Sequence, residues 1–460
     1  MITNAQALPA LQAALASGGD FAEIFYQDKT SQTISLRDGK VEDALTRRIH
    51  GAGIRVFKGL SCVYVHSCDT SPSGLLNLAR KAADAIGGIG EGRSIELIGS
   101  RIRNIHAVKL LPMDISGARK AALLKDACRA AQDVSPSIAH VRTGLTCSQQ
   151  EIQIFNSEGL ATGDYRVRTR MTVSAIASDG SQNQTGSDAP GALMGYELFE
   201  ARVNPEETAR MAARSAVTML SAMPCPAGRM PVVMDGGFGG VIFHEACGHS
   251  LEATSVAFGN SEFCGKLGEV IAAPCVTAID DGTMENEWGS TNIDDEGMPT
   301  TRLVLIENGM LKNYMIDKLN ARRMEAAPTG SGRRQDYTYA PTSRMRNTFI
   351  APGKDDEEEM IATAGDGLYA RKMGGGSVNP ATGEFNFSVA EGYLIRGGKI
   401  AEPVRGATLI GKGAEVLKKI DRVGPRMWMA QGMCGSQSGS VPTNVGQPRI
   451  RISDITVGGR

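Results

Sequence analysis

The segment His244-Glu245-Ala246-Cys247-Gly248-His249 places two imidazoles and a carboxylate within six residues. Two histidines on one short segment can hold a zinc ion, and a neighbouring glutamate can act as general base on the attacking water. In the common H-E-x-x-H form the histidines share one helix face, whereas the spacing of five found here puts them roughly 140° apart on a regular α-helix. A single π-turn would bring both rings together, and Gly248 has the most yielding backbone. We therefore predict a helix that is distorted over residues 246–249.

A catalytic zinc requires a third protein ligand, and the sequence leaves its identity open. The other histidines all precede residue 141 and are not close to one another in sequence: His50, His66, His106 and His140. A carboxylate or a thiolate is therefore expected. The candidates are Glu252, Glu262, Glu269 and Cys434. Cys434 lies in a Gly-Met-Cys-Gly segment whose backbone can approach another element closely. The residues alone favour Cys434 and Glu269 about equally as the third ligand.

The length of 460 residues indicates two domains. The segment Met223–Gly228 holds two prolines and a glycine, which end the preceding helix and begin an extended segment. We place the boundary there, with an N-terminal α/β domain of helices on a sheet over residues 1–222 and a C-terminal domain over residues 229–460. The 55 glycines among short β-like runs favour turn-rich antiparallel sheet in the second part. The predicted fold class is α+β, with the motif helix in the C-terminal domain.

Local signals predict several elements that frame the motif. Ser71-Pro72 begins a helix that ends near Ile86, because serine caps a helix and proline suits its first position. Asn308-Gly309 and Gly397-Gly398 are typical of hairpin turns. The remaining predictions are helices over 4–17, 116–133 and 205–222, strands over 21–37 with a break near Asp28-Lys29, a hairpin around Lys58-Gly59, and strands over 137–178 with turns at 156–159 and at Gly163-Asp164.

The charge balance excludes a basic nucleic-acid-binding domain, because 49 Lys and Arg face 50 Asp and Glu. Basic groups such as Arg333-Arg334 and Arg101/Arg103 are expected on the solvated surface. The acidic segments Asp280-Asp281-Gly282 and 294–297 are interpreted as turns, since Asp-Gly is common turn chemistry. The glycines of residues 236–240 lack a phosphate-loop pattern, and we expect them to let the backbone pack tightly above the motif helix.

Cysteine usage and the N-terminal segment indicate a cytoplasmic protein. Nine cysteines without C-x-x-C argue against a disulfide framework and for a reducing compartment. Cys62, Cys128 and Cys147 are expected to be small buried side chains. The first residues lack a basic region with a long apolar core, and no stretch reaches the ~18 apolar residues of a membrane helix. We expect no membrane association.

Several motifs resemble the TldD branch of the TldD/PmbA metallopeptidases, which are also called DNA gyrase modulators. The resemblance covers roughly residues 229–460 and is carried by Phe243–Glu252, Ile293–Gly297, Leu305–Gly309, Asp317–Arg322, Gly332–Arg334, Gly374–Gly376, Gly406–Gly411 and the tail from Val445 to Gly459. It implies that His244, His249 and Cys434 hold the metal. The PmbA/TldE branch lacks the histidine motif, so the chain resembles the catalytic branch.

The resemblance implies a zinc-dependent peptidase that acts on unfolded or short peptides, with Glu245 activating water at the metal. It also implies a dimer with a PmbA/TldE-like paralogue or with a second copy. The glycine-rich strands would suit a substrate bound as an added β-strand. Two alternatives stay open: a regulatory module with a structural metal, and a deformylase-like amidase.

Overall fold

The computed structural model of the chain describes residues 1–90, 94–100, 102–379 and 381–459. Helices and largely antiparallel sheets are segregated, so the predicted α+β class is confirmed. No helix among the described residues is long and apolar enough to cross a membrane.

The first 222 residues form one eight-stranded sheet with helices on one face. Its strand order is β3-β2-β1-β5-β6-β4, and β7 and β8 also pair with β6. The strands are β1 (Phe21–Arg37), β2 (Lys40–Lys58), β3 (Ser61–Ser67), β4 (Ile98–Gly99), β5 (Ile138–Asn156), β6 (Leu160–Ser178), β7 (Asn183–Asp188) and β8 (Gly191–Ala192). The helices are α1 (Asn4–Leu15), α2 (Pro72–Ile86), α3 (Gly117–Gln132), α4 (Leu198–Ala201) and α5 (Pro205–Leu220), with a 3₁₀ turn at Pro112–Asp114.

Alternation along β1 explains why the two faces of this sheet differ. Side chains at successive strand positions point to opposite faces. Even-numbered positions such as Ile24 and Ile34 join the apolar clusters beneath α1, α2 and α3. Odd-numbered positions, among them Glu23, Gln27 and Lys29, face the C-terminal half of the chain. The helices thus cover one face and leave a polar face toward the rest of the molecule.

Two predicted interruptions of this sheet are absent. β1 runs without a break through Asp28 and Lys29, because Asp28 pairs with Arg48 of β2 at 2.9 Å while Lys29 points to the other face. Gly163 and Asp164 lie within β6, opposite Gln153 and Ile152. Asp164 is buried, where its carboxylate accepts hydrogen bonds from Arg166 and Asn292, so it makes no turn.

Cap and turn chemistry placed other elements correctly. The Ser71 hydroxyl accepts from the Gly74 amide at 3.1 Å, and the helix spans Pro72–Ile86 as predicted. The helices near 4–17, 116–133 and 205–222 and the hairpin around Gly59 are also present. Cys128 and Cys147 are buried as expected, but Cys62 is exposed because β3 is the outer strand of the sheet.

The C-terminal half contains a closed barrel and a six-stranded sheet. The ring β17-β10-β24-β20-β18 closes because β17 also pairs with β18, and β19, β9 and β21 flank it. The second sheet has the order β13-β12-β11-β16-β23-β22. The strands are β9 (Met223–Pro224), β10 (Gly228–Met234), β11 (Ala278–Asp281), β12 (Arg302–Glu307), β13 (Met310–Leu311), β14 (Gly332–Arg333), β15 (Thr342–Ser343), β16 (Asn347–Ile350), β17 (Gly367–Val378), β18 (Glu384–Arg396), β19 (Lys399–Arg405), β20 (Thr408–Lys412), β21 (Ile420–Val423), β22 (Trp428–Ser436), β23 (Gly439–Gln447) and β24 (Ile450–Gly458).

Short helices connect these strands: α6 (Val241–Phe243), α7 (Ala253–Val256), α8 (Lys318–Met324), α9 (Glu357–Ala362) and α10 (Gly413–Lys419). The predicted hairpin turns are both present. Asn308 and Gly309 have φ of 47° and 84°, as a type I′ turn requires, and Gly397-Gly398 joins β18 to β19.

Buried ion pairs join the two halves. Arg166 of β6 contacts Asp295 at 2.7 Å, and Arg334 contacts Glu23 of β1 at 2.8 Å. Asp294 and Asp295 also accept backbone hydrogen bonds from Gly332 and Arg334. The acidic segment 294–297 therefore does turn at Gly297, where φ is 84°, but its carboxylates also belong to a polar network between the halves.

Candidate metal centre

The motif segment follows β10 through a tight, glycine-rich connection. A 3₁₀ turn spans Gly237–Gly240, and α6 follows it directly. A Cβ on Gly240 would lie 2.5 Å from the Gly446 carbonyl oxygen of β23, so only glycine allows this approach. The expectation that these glycines permit tight packing is confirmed.

The helix changes pitch at the predicted place. Residues His244–Gly248 form a π-turn, and a 3₁₀ turn follows at His249–Leu251. The ring centroids of His244 and His249 consequently lie 5.1 Å apart at 80°. A Cβ on Gly248 would collide with the Met345 sulfur at 2.2 Å, which gives a packing reason for glycine inside this turn.

Cys434 of β22 completes a group of three donors with the two histidines. Its Sγ lies 3.3 Å from Nε2 of His244 and 3.3 Å from Nε2 of His249. One potential ligand atom from each residue lies within 4.8 Å of the other two. Burial alone would raise the pKa of Cys434, but the two imidazoles outweigh it and lower the pKa to about 3. The sulfur is therefore a thiolate at neutral pH, which is the form that binds metals.

The carboxylates that were alternatives to Cys434 as the third ligand occupy other positions. Glu269 is exposed on a loop. Glu262 lies beside Cys247 and α10, where burial raises its pKa. Glu252 is buried next to the histidine pair and accepts from Nδ1 of His249 at 3.1 Å. It therefore contacts the far nitrogen of the imidazole and not the space between the three donors.

Glu252 is itself held by two further contacts. Its other oxygen accepts from the Met345 amide at 3.2 Å, and the Arg344 guanidinium lies 3.8 Å away. Burial would lower the pKa of His249, but the charge of Glu252 and the hydrogen bond to Cys434 raise it well above its usual value. A carboxylate on the outer nitrogen is the usual partner of a metal-binding histidine, because it fixes the tautomer and the ring orientation. Sequence reasoning had treated Glu252 only as a possible ligand.

Glu245 is the partly exposed member of the motif. Its side chain is 27 % exposed, and its Oε2 lies 3.7 Å from Nε2 of His249. It therefore lies beside the donor group and is accessible to solvent. The donor set of two imidazoles and a thiolate suits zinc, which takes three protein ligands in catalytic sites and leaves one position open.

The basic pair near this centre is not on the surface. Arg333 and Arg334 are 5 % and 4 % exposed, so the expectation of solvated surface groups was wrong for both. Arg333 donates to the Met345 and Pro442 carbonyls, and Arg334 pairs with Glu23. Arg103 is exposed as expected, and Arg101 lies outside the described residues.

The acidic segment at 280–282 is a turn only in part. Asp281 accepts from the Thr283 amide at 2.8 Å, which is the expected turn chemistry. Asp280 instead lies within β11 and forms a buried ion pair with Arg346 at 2.7 Å.

Models of the PmbA/TldA metallopeptidases match three parts of the chain: domain 1 over residues 22–86, the central domain over 111–220 and the C-terminal domain over 227–459. The Metalloprotease TldD homolog of Haemophilus influenzae is 35 % identical over 452 residues, which are 96 % of this chain and 93 % of the relative. The chain belongs to the PmbA/TldD metallopeptidase family.

Two further comparisons agree with this membership. A metalloprotease of Methanothermobacter thermautotrophicus is 34 % identical over 447 residues, 96 % of each chain. The crystal structure of TldE from Thermococcus kodakarensis has a TM-score of 0.74 with 20 % identity and covers 96 % of this chain and 97 % of that one, so it shares the fold. In the present member of the PmbA/TldD family, the histidine motif and Cys434 both lie in the part matched by the C-terminal domain model.

Proposed function

We propose that the protein is a zinc-dependent peptidase that hydrolyses unfolded or short peptides in the cytoplasm. The convergence of His244, His249 and Cys434 beside Glu245 is the observation that carries this proposal. The names of the related metalloproteases support a metal and a peptidase reaction. All nine cysteines lie in the described residues and none is paired, in keeping with a reducing compartment.

In this mechanism the three donors hold the metal and Glu245 moves the proton. A bound zinc ion supplies Lewis acidity, which makes water a nucleophile at neutral pH. Glu245 takes the proton of the attacking water and passes it to the leaving amine. Glu252 keeps Nδ1 of His249 protonated, so that the lone pair of Nε2 stays available to bind the metal. The Cys434 thiolate contributes negative charge, so we expect a weaker Lewis acid than a site with two histidines and a carboxylate.

The position of Cys434 supports an extended substrate. β22 is an outer strand of its sheet and, among the described strands, pairs only with β23. An extended peptide can add to such an edge by backbone hydrogen bonds, largely without regard to its sequence. We propose that the substrate lies along this edge next to the metal.

An open peptidase centre would attack any unfolded chain, so we propose that a second subunit encloses it. The fold shared with TldE supports a PmbA/TldE-like paralogue as the partner, with a second copy of this chain as the alternative. Sedimentation of the purified chain alone and with such a paralogue distinguishes these assemblies. A persistent monomer that cleaves folded proteins freely would contradict an enclosed site.

The decisive experiment is the Glu245→Gln substitution. Glutamine keeps the size of the side chain but cannot accept the proton, and loss of a general base typically lowers turnover about 10²–10⁴-fold. We expect peptide cleavage to collapse while zinc stays bound, whereas Glu269→Gln on the exposed loop leaves both unchanged. If Glu245→Gln cleaves peptides at the wild-type rate, the hydrolytic mechanism is wrong and a regulatory metal module is favoured. Activity on acylated amino acids alone would favour the amidase.

A further inference from the structure

A second feature of the site region is a cavity of about 790 Å³ between the polar face of the N-terminal sheet and the β22–β23 hairpin. We call it the cationic cleft. Its basic lining residues are Lys29, Arg47, Arg166, Arg168, Arg333 and Arg334. Asp295 and Asp336 are the two carboxylates that line it. The cleft thus has a strong excess of positive charge, although the whole chain has a formal net charge of −1.

Only part of this charge is neutralised by neighbouring carboxylates. Arg166 pairs with both Asp164 and Asp295, and Arg334 pairs with Glu23. Among the described residues, Arg168, which is 7 % exposed, donates only to the Trp288 and Ser290 carbonyls. Within the same residues, Arg333 donates only to backbone carbonyls.

Lys29 is the least satisfied of these cations. Within the parts of the chain that the structure describes, its ammonium group forms no hydrogen bond or ion pair. Burial lowers the pKa of Lys29, the charge of Arg168 lowers it further, and Asp336 opposes this. Burial also lowers the pKa of Arg168, as does the charge of Arg166. Full burial of the Arg168 guanidinium and partial burial of the Lys29 ammonium are unfavourable without a carboxylate partner, and a bound anion would reduce that penalty.

The cleft and the metal centre lie on opposite sides of one strand. Met433 of β22 lines the cleft, and the next residue, Cys434, points to the histidines. Successive strand side chains face opposite ways, so one strand thickness separates the two sites. A peptide that reaches the metal along the edge of β22 therefore passes the mouth of the cleft.

We propose that the cationic cleft binds a carboxylate of the peptide substrate, within a few residues of the bond at the metal. This inference rests on the proposed peptidase function, which supplies the peptide. Charge complementarity identifies the ligand as an oxyanion, and Arg168, Arg333 and Lys29 are its recognition groups. The carboxylate is either an acidic side chain or the free C-terminus, and both belong to the same peptide.

Binding measurements on the full-length chain test this proposal without requiring turnover. All proteins carry Glu245→Gln, and fluorescence anisotropy follows a labelled decapeptide that contains one glutamate. Amidating the C-terminus and replacing the glutamate with glutamine remove the two carboxylates separately. We expect one of these changes to weaken binding about 10–100-fold, as the loss of charge-assisted hydrogen bonds does.

Variants of the cleft locate the effect. Lys29→Met should remove most of the preference for the charged peptide, and Lys29→Arg should keep it. Arg47→Gln, at the exposed rim, should reduce the preference less and serves as a second test if Lys29→Met folds poorly. Lys125→Met is the matched control, because Lys125 is an exposed lysine of α3 on the other side of the sheet.

The outcomes separate this inference from the proposed function. Equal affinity for charged and amide peptides, or an undiminished preference in Lys29→Met, would overturn the carboxylate site whatever the hydrolysis assays show. If inorganic phosphate instead displaces peptides that bind equally with and without carboxylates, that result would likewise overturn the carboxylate site and would make the cleft a phosphate site. A charge preference that depends on Lys29, together with a wild-type chain that cleaves no peptide, would uphold the cleft and refute the peptidase.

Discussion

The substitution Glu252→Gln tests whether the buried carboxylate behind His249 positions the metal ligands. Glu252 accepts from two donors, Nδ1 of His249 at 3.1 Å and the Met345 amide at 3.2 Å, with one oxygen each. Glutamine has one acceptor oxygen and an NH₂ group. One of the two donors must therefore face another donor in a site that is 2 % exposed.

The magnitude follows from the cost of an unsatisfied buried group, which is about 1–3 kcal/mol. Since about 1.4 kcal/mol corresponds to a tenfold change in affinity, zinc should bind roughly 10–100-fold more weakly. Losses of this size are typical when the partner of a metal-binding histidine is removed. Competition with a chelator of known affinity measures the zinc dissociation constant directly.

Two glutamates that also follow the motif provide the controls. Glu269→Gln changes an exposed side chain and Glu262→Gln changes one that lies beside Cys247 and α10 and outside the donor group, so both should keep wild-type zinc affinity. Thermal unfolding of the zinc-free proteins shows whether a variant is simply misfolded. Unchanged zinc affinity in Glu252→Gln, or loss of zinc in Glu269→Gln, would refute the positioning role.

Three further predictions concern the ligands, the junction and the cleft. Cys434→Ser should lose zinc, measured by metal content, while exposed Cys275→Ser keeps it; full zinc in Cys434→Ser would contradict the ligand assignment. Arg334→Met leaves the buried Glu23 with Arg55 as its remaining cation and should lower the free energy of unfolding by about 1–3 kcal/mol in denaturant titrations, so that an unchanged midpoint would contradict the buried pair. Lys29→Met should raise the melting temperature at pH 7. Burial and the charges of Arg168 and Arg166 hold the pKa of Lys29 in the folded chain below its usual 10.5, against the opposing charge of Asp336. Wild-type stability therefore recovers as pH rises through this folded pKa toward 10.5. The stability gain of Lys29→Met should shrink over that pH range, and a constant gain would refute this reasoning.

Local sequence chemistry predicted the parts of the fold that depend on near neighbours. The cap at Ser71, the turn at Asn308-Gly309 and the change of pitch between His244 and His249 each follow from residues within a few positions of one another. Cys434 lies 185 residues after His249, and only the family resemblance predicted it as the third ligand. Spacing alone favoured Cys434 and Glu269 about equally.

The errors lie where a partner distant in the chain determines the conformation. Arg334 reads as a surface residue until Glu23, 311 residues earlier, is placed beside it. The predicted turn at Asp164 fails because this carboxylate bonds Asn292, 128 residues later. Burying a charge without such a partner is unfavourable, and a single sequence carries no local signal for the partner. The polar junction between the two halves was therefore beyond prediction.

That junction also connects the cleft to the metal centre. Arg333 lines the cleft and donates to the Met345 carbonyl at 2.5 Å, and the Met345 amide donates to Glu252, which holds His249. The neighbouring Arg344 donates to the Cys434 carbonyl. One short segment thus fixes a wall of the cleft together with two of the three metal donors. Because close-packed interiors transmit strain, we expect an anion that displaces Arg333 to act on the segment that orients the metal ligands. Zinc affinity measured with charged and with amide peptides should then differ in the Glu245→Gln chain and converge when Lys29→Met is added.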